Sequence, residues 1–85
     1  MRYTVEFTAS ALREFKTLDR AVQHRIAPRI DELAKNPIPP GAKKLRGEPS
    51  HYRIRVGDYR IIYRIEGSRV AIVVVKIGHR REVYR

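Results

Sequence analysis

"HYRIRVGDYRIIYRI", residues 51–65, reads as two short strands around a turn, and the rest of the chain is organised about it. Side chains change face at every step along a strand, so Tyr52, Ile54 and Val56 share one face and Arg53 and Arg55 the other. Gly57-Asp58 is then a two-residue loop with glycine first, the composition of a type II′ hairpin. That loop sets Val56 opposite Tyr59, Arg55 opposite Arg60 and Ile54 opposite Ile61. Two arginines thus face each other on neighbouring strands with Arg53 on the same face, and like charges so paired destabilise a sheet by roughly 0.2–1 kcal/mol. Folding gives no reason for this arrangement, whereas an anionic ligand does.

"RYTVEF" near the start alternates, with Tyr3, Val5 and Phe7 on one face and Arg2, Thr4 and Glu6 on the other, which predicts an opening strand. Thr8 or Ser10 can cap a short helix carrying Ala11, Leu12 and Phe15, and Asp19 can cap a second. In the second, Val22, Ile26, Ile30 and Leu33 form one apolar stripe. The stripe keeps its phase across Pro28, so a kink rather than a break is expected there. "NPIPPG" (36–41) stops the helix as an ordered loop, and "AKKLRG" follows as a short edge strand or extended segment. After the hairpin and a turn at "EGS", the apolar run "RVAIVVVKI" (69–77) predicts a central strand covered on both faces. The whole is a single α+β domain over residues 1–85: an N-terminal strand, a helical hairpin, then antiparallel strands forming one twisted sheet with the helices on one face. If the helices cover the Tyr52, Ile54, Ile61 and Tyr63 face, the arginine face stays open, since burying Arg53, Arg55 and Arg60 without partners is prohibitive.

The 85 residues carry 19 Lys+Arg against 9 Asp+Glu, a net charge of +10, which points to a polyanionic partner. The excess concentrates in 43–64, where Lys43, Lys44, Arg46, Arg53, Arg55, Arg60 and Arg64 face only Glu48 and Asp58. The preference for arginine at strand positions suits phosphate oxygens, which the guanidinium fork matches geometrically. The absence of cysteine excludes disulfide, Cys-zinc and Cys-redox chemistry and fits a cytoplasmic location. No signal peptide is visible, and "VAIVVV" at 70–75 is far too short to cross a bilayer, so no membrane partner is expected. No phosphate-binding glycine loop or metal-ligand spacing occurs, and neither a metal nor a cofactor is expected.

The layout, together with "KKLRG", "YRIRVGDYRIIYRI" and "IGHRREVYR", resembles the RelE-type toxins of bacterial and archaeal toxin–antitoxin pairs, in the RelE/ParE superfamily. The resemblance covers essentially the whole chain. It implies a microbial-RNase-like fold, cleavage of mRNA in the ribosomal A site, and neutralisation by a cognate antitoxin that wraps the basic surface, giving a toxin–antitoxin hetero-oligomer. Carried over by position, the family's functional basic residues in the hairpin fall on Arg53, Arg55 and Arg60, the arginine of the tail on Arg80 and the closing aromatic on Tyr84. Arginine stands at the first two positions where lysine also occurs, and His79 where a lysine can stand.

In RNA cleavage of this type a 2′-hydroxyl attacks the neighbouring phosphate and charge accumulates on the phosphoryl oxygens. Arg53, Arg55, Arg60 and Arg80 could meet that charge with preorganised hydrogen bonds. Arginine stays protonated and cannot act as a conventional base, so His79, at the end of the central strand, is the candidate proton carrier, or else a histidine that contacts RNA or backbone. Tyr84 is the candidate base-stacking residue. Lys43, Lys44 and Arg46 read as RNA-binding contacts to the backbone of ribosomal RNA, His51 as structural or a substrate contact, and His24 as solvated. The alternatives on the same scaffold are a ParE-like inhibitor of DNA gyrase and a catalytically inactive RNA-binding module.

Overall fold

A computed structural model describes residues 2–79; Arg80 and Tyr84 lie outside the described residues. The chain opens with strand β1 (Thr4–Phe7) and passes into helices α1 (Ala9–Thr17) and α2 (Arg20–Leu33). Four further strands follow: β2 (Lys43–Lys44), β3 (His51–Val56), β4 (Tyr59–Glu66) and β5 (Ala71–His79). No helix among the described residues is long and apolar enough to cross a membrane.

Local chemistry places the helices where the sequence reading does. The Thr8 side chain caps α1 by accepting the Ala11 N–H at 3.1 Å, satisfying one of the donors a helix start leaves over. Asp19 is the N-cap of α2 without a side-chain capping bond. Pro28 sits on the exposed side of α2, opposite the buried Ile26, Ile30 and Leu33, and the helix continues through it. The "PPGA" run then closes a type II turn: Ala42 N–H donates to the Pro39 carbonyl at 3.0 Å, with proline and then Gly41 (φ +93°) at the central positions.

The sheet runs β1-β5-β4-β3-β2. The helical hairpin carries the chain from β1 at one edge to β2 at the other, and the remaining strands step back antiparallel until β5 arrives beside β1. There β5 pairs parallel to β1, with Val5 opposite Ile72. The β3–β4 register is the one the two-residue loop dictates: Val56 opposite Tyr59, Arg55 opposite Arg60, Ile54 opposite Ile61. Gly57 takes φ +60° and Asp58 stays on the negative side, as a type II′ turn requires.

One core lies between the helices and the sheet, built from Ala11, the α2 stripe, and Ile54, Val56, Ile61, Tyr63, Ile72, Val74 and Ile77. Ala71 and Val73, which point away from the helices, are also buried, so β5 is covered on both faces as its apolar run predicts. The last strand extends beyond "VVVKI" to His79, and it carries an irregularity the apolar run conceals. Ile62 pairs with Lys76 but Tyr63 pairs with Val74, so Val75 is an extra residue and every side chain after it changes face.

Candidate nucleic-acid interface

On the face away from the helices the register assembles two cationic rows. Lys43 lies opposite Arg53, which lies opposite Ile62; Lys76, the next partner along, turns its Nζ to Glu14 of α1. One step along, Arg55 lies opposite Arg60, which lies opposite Gly78. Arg53, Arg55 and Arg60 therefore do share one face, held there by the packing of Ile54, Ile61 and Tyr63 on the other.

Their exposure differs from the open face expected for all three. Arg55 is exposed and Arg53 half-buried, but Arg60 is only 7% exposed. The physical reason is position in the sheet. β2 ends opposite Tyr52 and Arg53 and does not reach Arg55, whereas Arg60 stands on β4 with strands on both sides. The burial reaches the head group, since Nε and Nη1 of Arg60 are themselves shielded from solvent.

The remaining basic candidates divide. Lys43, Lys44 and Arg46 are exposed, but Lys44 pairs with Tyr52 and so points to the opposite face from Lys43. Arg64 belongs to a different end of the molecule: its Nε donates to Glu66 at 2.7 Å, and Arg69 bridges Glu66 at 2.6 Å and Glu6 at 3.0 Å. The Arg69 hydrogen bond, and then that of Arg64, hold the Glu66 carboxyl below the usual carboxylate range. Positive charge at this end is paired within the fold.

His79 is not beside the arginines. The extra residue at Val75 puts it on the helix-bearing face, opposite Tyr59, whose ring it meets edge-on at 5.7 Å between centroids. Both line a cavity of about 590 Å³ with Glu14, Thr17 and Leu18 of the α1 region. His51 places Nδ1 at 2.9 Å from the Pro49 carbonyl, a structural contact, and His24 is exposed on α2. Tyr63 is fully buried and donates its hydroxyl to the Pro37 carbonyl at 2.7 Å, tying the loop after α2 to the sheet.

Two residues at this surface escaped the sequence reading. Glu14 reaches from α1 to the end of β5, where β1 no longer covers the strand: Ile77 N–H donates to one carboxylate oxygen at 2.9 Å and Lys76 Nζ to the other at 2.7 Å. Arg29, on α2, lines a cavity of about 290 Å³ with Lys43, Arg53 and Arg55. Its only signal in the sequence is a cation directly before Ile30 of the apolar stripe, which fixes the direction of its side chain.

Comparison with known proteins agrees with this geometry. The family described as "ParE toxin of type II toxin-antitoxin system, parDE" matches residues 5–84. A putative RelE-like toxin protein of Escherichia coli is 38% identical over 82 residues, covering 94% of this chain and 85% of that protein. The mRNA interferase toxin RelE of Escherichia coli K12 is 32% identical over 88 residues, covering 99% and 92% of the two chains. Among solved structures, the intact E. coli RelBE toxin–antitoxin complex superposes with a TM-score of 0.82 at 28% identity, covering 91% of this chain and 95% of that one. Sheet order, cationic face and kinship thus lead to one assignment: the chain belongs to the RelE/ParE superfamily of type II toxin–antitoxin toxins and is of the RelE type.

Proposed function

We propose that this toxin is a ribosome-dependent mRNA endonuclease that needs no metal, and that it arrests translation by cutting the message in the A site. The observation that carries the reading is the directly opposed Arg55–Arg60 pair, flanked by Arg53 and Lys43 on the same face. The 2′-hydroxyl releases its proton to solvent as its oxygen attacks the adjacent phosphorus, the bond to the 5′-oxygen breaks and that oxygen takes a proton from solvent, and the products are a 2′,3′-cyclic phosphate and a 5′-hydroxyl. Charge grows on the phosphoryl oxygens, where guanidinium groups held by a rigid hairpin act without reorganising. Removing one such donor typically costs about 10²–10³ in rate.

Arg80 is proposed as a further phosphate contact and Tyr84 as a stacking platform for a base; Lys44 and Arg46 are proposed to track ribosomal RNA. With no strong base among the described residues of the arginine face, the ribosome supplies in-line geometry, and positioning of that kind can contribute several kcal/mol. His79, on the other face, is given no proton-transfer role. An antitoxin with acidic and apolar side chains is proposed to cover the cationic face, and the similarity to the RelBE complex supports such a partner.

The test is primer extension on a translated message, with and without ribosomes. Cleavage is expected only in the translating mixture, lost in Arg55→Ala and retained with the wild-type pH profile in His79→Gln. Equal cutting of naked RNA would sink the ribosome requirement. No cutting, combined with inhibition of DNA gyrase in a supercoiling assay, would instead favour the ParE-like reading that the description of the matching family suggests.

A further inference from the structure

The cavity beside β3 brings together cations from three segments: Arg29 from α2, Lys43 from β2, and Arg53 and Arg55 from β3, with the Pro40-Gly41 turn as its far wall. None of the described residues lining it is acidic. The charge of the described lining is therefore uniformly positive, which suits an anion. Three of the four cations are held in place, Arg29 by the burial of the adjacent Ile30 and Arg53 and Arg55 by the burial of Ile54 between them. One turn earlier on α2, Arg25 lies over the hairpin turn, where a Cβ at Gly57 would run into its guanidinium. Helix α2 thus lays two arginines, four residues and about 6 Å apart, along the hairpin. That is the order of the spacing between successive phosphates on an extended nucleic-acid strand.

We propose that this cavity is a phosphodiester-binding subsite for single-stranded RNA, with Arg29 as an anchor that reads the backbone and not the bases. The inference rests on the reading of the chain as an RNA-cleaving toxin and adds a binding residue outside the hairpin. Three of the four cations are arginines, whose forks can take two oxygens of one phosphate. The proline in the far wall has no N–H to offer a peptide backbone, which favours phosphate over an extended acidic peptide.

Binding of a 2′-O-methyl hexanucleotide to the full chain, followed by fluorescence anisotropy between about 50 and 200 mM salt, tests this, because that probe lacks the attacking hydroxyl and cannot be cut. Arg29→Gln is expected to weaken binding several-fold for two unrelated sequences alike and to lower the slope of log K against log salt by about 0.7, the value for one phosphate contact on a single strand. Arg29→Lys should keep the slope, and Arg20→Gln, on the same helix but outside the cavity, should change neither quantity. Wild-type affinity in Arg29→Gln, or an equal loss in Arg20→Gln, overturns the subsite. So does binding of a glutamate-rich peptide that depends on Arg29 when the hexanucleotide shows no such dependence. Cleavage on ribosomes with oligonucleotide binding indifferent to Arg29 would leave the nuclease reading standing without the subsite. Binding that depends on Arg29 without any cleavage would do the reverse.

Discussion

Arg55 and Arg60 are cross-strand neighbours of the same chemistry, yet their substitution is expected to have different consequences. Arg55 is exposed, so Arg55→Ala removes charge and a like-charge repulsion and should leave stability within about 0.5 kcal/mol. Arg60 is buried, so Arg60→Ala also removes the packing of its stem and should lower stability by about 1–3 kcal/mol. Urea denaturation of the two variants separates the cases, and equal stabilities would mean that burial of Arg60 contributes nothing. Tyr63 offers a second test at this scale. Burial, and secondarily the nearby Tyr52, push its pKa from 10.0 to about 12. A group whose folded pKa is raised contributes stability that is complete below the unfolded value and disappears as pH climbs from 10 towards 12. The wild-type urea midpoint should fall across that window more than that of Tyr63→Phe. At neutral pH the Phe variant should be less stable by about 1 kcal/mol, having lost the bond to the Pro37 carbonyl.

Among the elements, β5 shows how a strand's end is set by what stands beside it. β1 covers β5 only as far as Val74, and beyond that point the Glu14 carboxylate takes the place of a neighbouring strand for the Ile77 N–H. Glu14→Ala should therefore cost about 1–2 kcal/mol and speed amide hydrogen exchange at Ile77 and Gly78. Glu14→Gln keeps an acceptor for that N–H and loses only the ion pair with part-exposed Lys76, worth less than about 1 kcal/mol, so exchange at Ile77 should stay slow. Matching exchange rates in the two variants would show that the backbone bond is not what holds the strand. The bulge at Val75 acts on the same element from inside. Without it His79 would lie on the arginine face; with it, the imidazole lies against Tyr59.

Across the whole molecule, charge is divided between two ends of the outer face. Glu6 and Glu66 pair with Arg64 and Arg69 where β1, β4 and β5 meet, while Lys43, Arg53, Arg55 and Arg60 gather towards the hairpin turn. How far this could be read in advance follows from the range over which each interaction acts. The hairpin register, the α2 stripe, the Thr8 cap and the shared face of the arginines are settled by residues within one turn or one strand of each other, so they are legible in the order of the residues alone. The family resemblance was legible for the same reason, being carried by short phrases in a set order. Other features depend on segments far apart in the chain. The parallel pairing of β1 with β5 joins the two ends of the described chain, and burial of Arg60 depends on the strands either side of β4. The cavity shared by Arg29, Lys43, Arg53 and Arg55 depends on where α2 crosses the hairpin. The face of His79 turns on one extra residue in a run of valines, each of which suits either side of a buried strand. Only the tertiary structure could decide these, because a side chain's exposure and face are properties of its neighbours in space, and alternation along the chain predicts them only while the register is unbroken.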